Sequence, residues 1–223
     1  MVGSSILPSC IHKGTLYFLF GKENDLADTP GWSDFGGGVE TGEDLFDAAL
    51  REGGEELTGF LGGSAELRAL IKKHGGVHKK TVKTYNMHIF HYPYDPLLPV
   101  YYNNNHQFLW NRMDKKMLND TKLFEKIEVA WFSIDDMKKR RGEFRNFYQE
   151  IVDELVKDQS NICRFLEQPM VVKHHVDATH PAKWDDNQRV FVQRTNIIKG
   201  HKQSRKFKGG KNRKNKTMRS VIV

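Results

Sequence analysis

The chain has 223 residues, a hydrophobic fraction of 38% and a formal net charge of +7, which suits one domain of ordinary size with additional segments. Cys10 and Cys163 lie far apart and form no CxxC pair, which argues against a disulfide framework and against a structural zinc site. The sequence shows neither a signal peptide nor an apolar run of about 18 residues. We therefore expect an intracellular, cytoplasmic protein that does not enter a membrane.

The positive charge is concentrated at the end of the sequence. Residues 199–223 include ten basic and no acidic side chains, a composition that predicts disorder. Residues 1–198 hold 25 basic and 28 acidic side chains, a formal charge of −3. We therefore divide the chain into a folded domain at 1–168, an extension of uncertain structure at 169–198 and a basic tail at 199–223.

The first predicted elements are two β-strands. Residues 5–12 and 15–21 are apolar, β-favouring runs around Lys13-Gly14, a pattern that is typical of a β-hairpin. Residues 22–38 contain Pro30 and end in a triple glycine, so this segment is predicted as a loop.

Two helices are predicted next. One runs from about residue 44 to residue 57 and is followed by Gly59, a residue that commonly ends helices. The other covers residues 65–73, with Ser64 as its N-cap. Both are of ordinary length for a globular domain.

The rest of the folded domain is predicted as two strands, a connection and a helix. Residues 82–92 and 129–134 have the partial alternation and aromatic content of sheet strands, and residues 93–121 between them are predicted as a long loop. A last helix that covers one face of the sheet is indicated by apolar residues at helical spacing, namely Phe144, Phe147, Ile151 and Leu155.

The first predicted helix carries three carboxylates that share one face. Glu52, Glu55 and Glu56 stand at i, i+3 and i+4. At roughly 5 Å and an effective dielectric constant of about 20, each pair repels by about 3 kcal/mol. Arg51 is expected to project away from the centre of this face. A divalent cation is therefore the better counter-ion.

The chemistry of these ligands favours Mg²⁺ or Mn²⁺, which bind hard oxygen atoms and keep waters for substrate phosphates. Upstream, glycines 36–38 lack Cβ atoms and let the backbone approach a metal or a phosphate closely. The alternative is a solvated acidic helix face, which is how most runs of charge behave.

A longer spacing pattern resembles the Nudix box, which reads Gly, five residues, Glu, seven residues, Arg-Glu, two residues, Glu-Glu, one residue, Gly. A match of this length arises by chance at roughly one in a million starting points. The chain departs from the pattern at Thr58, which replaces the final Gly, and at Gly53, where an apolar residue is usual. Six of the seven fixed positions match, at Gly37, Glu43, Arg51, Glu52, Glu55 and Glu56.

The resemblance implies a fold and an activity. The fold would be a Nudix-type α/β/α sandwich, of the α/β (α+β) class, with a mixed central sheet. The activity would be that of a divalent-metal-dependent pyrophosphohydrolase that cleaves a diphosphate linkage in a nucleoside diphosphate derivative. The ions, Mg²⁺ or Mn²⁺, would be held by Glu52, Glu55, Glu56 and the carbonyl of Gly37.

The resemblance also implies roles for single residues. Glu52 or Glu55 could take the proton of the attacking water, and Arg51 with Glu43 would orient the helix that carries the ligands. Glu125, six residues before Trp131, resembles a further ligand or base of the family. Glu128 is the other candidate for that role, and both residues could equally be ordinary carboxylates at a strand edge. The implied catalytic set is Glu52, Glu55, Glu125 and Arg51.

The substrate is less clearly indicated. Phe35 and Tyr85 could stack on a base, although such aromatics are more often core residues. The basic tail could follow RNA phosphates, which suggests the alternative of messenger RNA decapping on a capped RNA. It could equally be a nuclear address, a docking arm or a solubilising end, and a third alternative is a non-catalytic nucleotide- or RNA-binding Nudix module. The residues proposed to contact RNA are Lys206, Lys208, Lys211, Arg213 and Lys214.

Overall fold

The structure is a computed structural model that describes residues 2–121 and 123–168. The predicted extension at 169–198 and the basic tail at 199–223 lie outside the described residues. Within the described part, no helix has the length and the apolar character needed to cross a bilayer.

A mixed sheet of seven strands forms the centre of the described residues. Strands β1 (Gly3–His12) and β2 (Thr15–Glu23) form the predicted hairpin. At its turn, Lys13 and Gly14 have φ values of 50° and 77°, because the turns that match the twist of a tight hairpin need positive φ. The further strands are β3 (Trp32–Ser33), β4 (Phe35–Gly38), β5 (His78–Val82), β6 (Tyr85–His91) and β7 (Lys126–Ser133).

Strand β1 is central and pairs on both sides. It runs parallel to β6 and antiparallel to β2 and β4, which makes the sheet mixed. Strand β7 joins the other side of β2 in antiparallel register. The predicted loop at 22–38 was therefore wrong in part, because it contains β3 and β4. These two short strands carry few β-favouring residues and are held by their pairing with β2 and β1.

Helices cover both faces of the sheet. The described helices are α1 (Leu45–Glu56), α2 (Ser64–Lys73), α3 (Leu98–Trp110), α4 (Lys115–Thr121), α5 (Ile134–Lys139), α6 (Tyr148–Lys157) and α7 (Gln159–Glu167), with a 3-10 turn at Arg141–Glu143. Along β2, Phe18 and Phe20 point into the core that α6 and α7 complete, whereas Leu19 points into the core that α1, α2 and α3 complete. This alternation is the period of two of a strand. The predicted α/β/α sandwich is confirmed.

The predicted long loop at 93–121 was wrong, because this segment contains α3 and α4. Three consecutive asparagines give α3 a low intrinsic helix propensity. Packing supplies what propensity lacks: Tyr102, His106 and Trp110, four residues apart, are all buried. The side-chain amide of Asn103 also donates to the carbonyl of Val129 in β7 at 3.1 Å and accepts from the amide of Val129 at 2.7 Å.

Three smaller expectations also needed correction. The strand predicted at 82–92 is the hairpin of β5 and β6, since a turn at Lys83 (φ 54°) divides it. Helix α2 has Gly63 rather than Ser64 as its N-cap. The last predicted helix begins at Tyr148, because residues 141–147 form the 3-10 turn and an irregular segment.

Candidate active site

The carboxylate-bearing helix forms where the sequence predicts it. Asp44 caps α1 by accepting a hydrogen bond from the amide of Phe46 at 2.8 Å, the bond that an N-cap aspartate typically makes. Ala48, Ala49 and Leu50 are fully buried against the sheet. The charged residues of the box lie on the other face of the last two turns of α1.

The glycine strand β4 lies against β1 on one side and against α1 on the other. A Cβ on Gly36 would lie 2.5 Å from the Cα of Ser5, and a Cβ on Gly37 would lie 2.5 Å from the Cδ of Glu52. Real Cβ atoms do not approach other atoms so closely. Glycine is therefore required at Gly36, which meets the backbone of β1, whereas a Cβ on Gly37 would displace the Glu52 carboxylate from its place beside β4.

The two glycines inside α1 have different surroundings. A Cβ on Gly53 would lie 2.5 Å from Cγ1 of Ile6, whereas a Cβ on Gly54 would meet nothing closer than the Cα of Gly63 at 3.5 Å. The Ile6 side chain of β1 therefore fills the volume that the usual apolar residue of the box would occupy. Gly53 is a packing requirement, and Gly54 is not.

Thr58 explains why the box ends in glycine. Its φ is 52° and that of Gly59 is 68°, so the chain leaves α1 through the left-handed region that favours glycine. The Oγ1 of Thr58 is also buried, and it has no hydrogen-bond partner among the described residues. The substitution of Thr for Gly at this position is thus strained.

Arg51 organises the outer part of the site. Its Nε and Nη2 donate to the two oxygens of Glu43 at 3.0 Å each, Nη2 also donates to the carbonyl of Gly38 at 3.0 Å, and Nη1 donates to Glu52 at 2.8 Å. The expectation that Arg51 projects away from the carboxylates was therefore wrong. Its side chain folds back along the helix because the forked guanidinium matches carboxylate geometry. The hydrogen bond from Arg51 lowers the pKa of Glu43.

The three box carboxylates have unlike environments. The Glu55 side chain is 61% exposed, whereas that of Glu56 is only 6% exposed. Oε2 of Glu56 accepts a hydrogen bond from the amide of Gly36 at 2.7 Å, and Oε1 lies 3.3 Å from Nζ of Lys126. Burial raises the pKa of Glu56 to about 8, against the opposing effect of Lys126. The desolvation of its pocket likewise raises the pKa of Glu52.

Lys126 was not found from the sequence, although it lies at the bottom of the site. It is fully buried, forms an ion pair with Glu23 and donates to Oγ of Ser33 at 2.8 Å. Arg145 reaches the same Glu23 oxygen at 2.6 Å. Burial acts to lower the pKa of Lys126, but Glu56 and Glu23 outweigh this effect and raise it. Glu23 and Lys126 are partners in the register of β2 and β7, a pairing that no local pattern reveals.

A cleft of about 430 Å³ lies between β4, the end of α1 and the segment after β2, and Glu52, Glu56 and Arg145 line it. Arg51, Glu55 and Lys126 are outside its described lining. Glu125, a candidate 73 positions after Glu52 in the sequence, lines this cleft together with it. Glu128 instead lies 3.8 Å from Lys22, and the described lining does not include it. The acidic residues of the lining are Glu23, Asp28, Glu52, Glu56 and Glu125.

The donor chemistry of this lining fits Mg²⁺ or Mn²⁺, which prefer carboxylate and carbonyl oxygens. Within residues 2–121 and 123–168, no three His, Cys, Asp or Glu side chains stand as a ready-made ligand set. The oxygens of Glu52 and Glu56 are oriented by donors, Arg51 and the amide of Gly36. An ionised carboxylate has about four lone-pair sites, so these bonds leave acceptor capacity for an ion.

A second cavity, of about 630 Å³, shares the glycines of β4 with the cleft. Tyr85 and the half-exposed Phe147 line it, and Arg145 lines both cavities. The hydroxyl of Tyr85 donates to the buried Asp34 at 2.6 Å. Phe35 is fully buried instead, so the expectation that its ring stacks on a base was wrong: the alternation of β4 turns it into the core.

The family follows from these residues and from comparison with known proteins. The family model that describes the NUDIX domain matches residues 12–155, which is well over half of the chain. The chain belongs to the Nudix family and is a hydrolase that acts on phosphorus-containing acid anhydrides. No curated protein matches the sequence significantly.

Several solved structures resemble the chain. A binary complex of an Ap4A hydrolase from C. elegans is 17% identical, with 74% of this chain and 98% of that chain covered and a TM-score of 0.42. A NUDIX hydrolase from Nitrosomonas europaea is 18% identical, with coverages of 71% and 89% and a TM-score of 0.33. The MutT protein from Methanosarcina mazei Go1 is 18% identical, with coverages of 71% and 96% and a TM-score of 0.32. Because these TM-scores are below 0.5, the family assignment rests on the domain match.

Proposed function

We propose that the protein is a divalent-metal-dependent pyrophosphohydrolase that cleaves a diphosphate linkage in a nucleoside diphosphate derivative. One observation carries this proposal: Glu52, Glu56 and Glu125, from two distant parts of the chain, line a single cleft whose wall is the glycine strand β4. An acidic cleft of this kind repels a substrate diphosphate unless cations lie between them. Metal ions are therefore part of the proposal.

The proposed ligands are Glu52, Glu56 and the carbonyl of Gly37, which belong to the cleft lining, together with Glu55, whose exposed side chain lies outside the described lining. Bound Mg²⁺ or Mn²⁺ would supply charge neutralisation for the diphosphate and a water of lowered pKa. Glu125 faces the same cleft and, with Glu52 and Glu55, is a candidate to accept the proton of that water. The role of these side chains is to hold the reacting groups in place and to move one proton.

Arg51 and Glu43 are proposed as positioning residues. Arg51 bonds to Glu43, to the Gly38 carbonyl and to Glu52, so it joins the helix to the glycine strand and fixes the direction of one ligand. It does not line the described cleft. A direct catalytic role of Arg51 is therefore the weaker alternative.

The nucleoside part of the substrate is proposed to lie in the second cavity. Its wall contains Tyr85 and Phe147, whose ring centroids are 6.2 Å apart, and aromatic rings of this kind bind bases by stacking. Arg145 lies at the boundary between the two cavities and is 5.0 Å from the Phe147 ring. A base in this cavity would place its phosphates towards the glycine strand.

Messenger RNA decapping is the second candidate. Its support is the composition of residues 199–223, which have ten basic and no acidic side chains and suit binding to a phosphate backbone. The proposed RNA contacts remain Lys206, Lys208, Lys211, Arg213 and Lys214. The proposed location is the cytoplasm, and the nucleus is the alternative if the tail is a nuclear address. A non-catalytic module is disfavoured, because all the box carboxylates are present.

A hydrolysis panel tests both candidates. The full chain and a variant without residues 199–223 are assayed with Mg²⁺ or Mn²⁺ on dinucleoside polyphosphates, nucleotide sugars and capped RNA. We expect metal-dependent cleavage that EDTA abolishes, with small nucleotides cleaved equally by both proteins. A loss of capped-RNA cleavage alone on truncation would favour decapping. Activity that is unchanged in EDTA would contradict the proposed function.

A further inference from the structure

The bottom of the cleft is held by a group of four charged side chains, which we term the floor cluster: Glu23, Glu56, Lys126 and Arg145. The Lys126 ammonium is its centre, with contacts to Glu23, to Oε1 of Glu56 at 3.3 Å and to Oγ of Ser33 at 2.8 Å. An ammonium group has three donors and no acceptor. Two of them are used in hydrogen bonds to Glu23 and Ser33, and the charge also lies within ion-pair distance of Glu56.

The stem of Lys126 is as constrained as its charged end. A Cβ on Gly21, in the neighbouring strand β2, would lie 2.8 Å from Cγ of Lys126 and 2.8 Å from Cε1 of Phe35. The stem thus passes through a narrow passage that only a glycine leaves open. Because Lys126 is fully buried, its ammonium cannot move into solvent without disturbing this packing.

The four side chains of the floor cluster have no net charge when Glu56 is ionised; Glu125 lines the same cleft outside this group and is close enough to raise the pKa of Glu56. Lys126 and Arg145 supply two positive charges to Glu23 and Glu56. Asp34 is the nearby buried acid, and it accepts hydrogen bonds from the hydroxyls of Ser5 and Tyr85. A buried carboxylate requires such compensation, since removing its partner leaves an uncompensated charge in a poorly solvated site.

The outer part of the site does not balance in this way. We term Glu43, Arg51, Glu52 and Glu55 the outer cluster. Arg51 is the cation bonded to all three carboxylates, so the cluster keeps a formal charge of −2. The outer cluster therefore has an excess of negative charge that can attract a divalent ion.

We propose that Lys126 is a resident cation that occupies the inner position between Glu23 and Glu56, so that divalent ions enter the site only on the side of the outer cluster. This inference rests on the proposed function, because it divides one metal-binding cleft into two positions. Lys126 is then a positioning residue for Glu56. It lies beside Oε1 of Glu56, while Oε2 accepts a hydrogen bond from the amide of Gly36.

The consequence concerns the number of bound ions. Lys126→Met keeps the length and the packing of the stem but removes the ammonium. Two buried carboxylates then have only Arg145 to neutralise them, and a divalent ion should take the vacated inner position. We expect the variant to bind one more Mn²⁺ per chain than the wild type does.

The experiment is a Mn²⁺ titration of the full chain without substrate, in which free Mn²⁺ is counted by electron paramagnetic resonance. Lys22→Met is the matched control, because Lys22 lies on β2, pairs with Glu128 on β7 at 3.8 Å and is 48% exposed. We expect the control to bind as many ions as the wild type. Equal numbers in Lys126→Met and the wild type would overturn the inference and leave the proposed function standing.

A second variant covers the case in which Lys126→Met does not fold in EDTA. In Glu23→Gln/Lys126→Met one anion is removed with the cation, so that Glu56 and Arg145 balance each other. We expect this protein to fold and to bind the wild-type number of ions. An additional ion here would contradict a charge-balancing role of Lys126. If the wild type bound no Mn²⁺, the proposed function would fail. If Lys126→Met then bound one ion where the wild type bound none, that result would still support Lys126 as a resident cation.

Discussion

The outer cluster and the floor cluster both bring carboxylates close together, but they differ in how far cations neutralise those carboxylates. The outer cluster comes from 13 consecutive positions, is partly exposed and shares one arginine among three carboxylates. The floor cluster comes from β2, α1, β7 and the irregular segment before α6, and two cations there face two carboxylates. A charge that water can reach tolerates an excess of one sign, whereas a charge removed from water requires a partner.

Glu55 and Glu56 show that the outer cluster and the floor cluster meet between two neighbouring residues. They are adjacent in the sequence and both belong to the box, yet their side chains are 61% and 6% exposed. The difference arises because α1 turns about 100° per residue, which directs Glu56 under β4 and Glu55 towards solvent. Neighbouring residues of one motif therefore belong to different parts of the site.

The largest expected effect tests whether the floor is a structural unit. Lys126→Met in EDTA at pH 9, above the pKa of about 8 of Glu56, should lower the free energy of unfolding by about 3–5 kcal/mol, because it leaves buried carboxylates without their partner. Urea denaturation measures it. Lys22→Met, which breaks an exposed pair, should change the value by less than about 1 kcal/mol. Similar changes in both variants would remove the distinction between the clusters.

Glu55→Gln tests the opposite property of the outer cluster. We expect the rate of hydrolysis to fall by more than about 100-fold, since the loss of a residue that only orients a metal ligand already lowers activity by 10- to 100-fold. The free energy of unfolding should be unchanged or slightly raised, because the substitution removes repulsion between carboxylates. Initial rates and urea denaturation give the two values. Asp47→Asn, an exposed change on the same helix that breaks the pair with Arg68, should leave the rate within about twofold. A Glu55→Gln enzyme of normal rate would refute the assignment of Glu55.

Arg51→Lys sharpens the comparison within the outer cluster. A lysine cannot reproduce the fork that joins Glu43, Gly38 and Glu52, so we expect activity to fall by about 10- to 100-fold and Mn²⁺ to bind more weakly. Steady-state kinetics should place the effect mainly in kcat, with calorimetry reporting metal affinity. Arg68→Lys, at an exposed ion pair, serves as the control. A fall in stability without a change in metal affinity would indicate a purely structural role.

A matched pair of glycine variants tests the packing between α1 and β1. Gly53→Ala should destabilise the protein by about 1–3 kcal/mol, because its methyl group would collide with Ile6. Gly54→Ala has room and should stabilise the helix by up to about 1 kcal/mol. Thermal or urea unfolding of the two variants measures the two changes in stability. Equal changes would show that α1 does not lie in contact with Ile6 of β1 at Gly53.

The smallest expected effect is a gain. Thr58→Gly should raise the free energy of unfolding by about 1 kcal/mol, because it relieves a positive φ that is unfavourable for a β-branched residue. The change also removes a buried hydroxyl that has no partner among the described residues. The gain is measured at pH 7 by urea denaturation, and a destabilised variant would show that the Thr58 side chain makes a favourable contact.

Parts of the fold were predictable because their signals are local. The β1–β2 hairpin follows from two apolar runs and a turn, and α1 follows from the Gly59 that ends it and from carboxylates at helical spacing. Helix α3 was missed because its asparagines disfavour a helix, and only contacts with β7 and the sheet stabilise it. Strands β3 and β4 were missed because two to four residues carry no periodicity.

The sequence by itself determined the carboxylate turn of α1 and the glycines upstream of it, since residues spaced three or four apart must share a helix face whatever the rest of the chain does. Only the tertiary structure decided that Glu125 joins this cleft, that Lys126 lies beneath it and that Glu56 is withdrawn from water. Those outcomes depend on the register of β7 against β2 and on desolvation. Both are properties of packing between distant segments, which spacing along the chain does not encode.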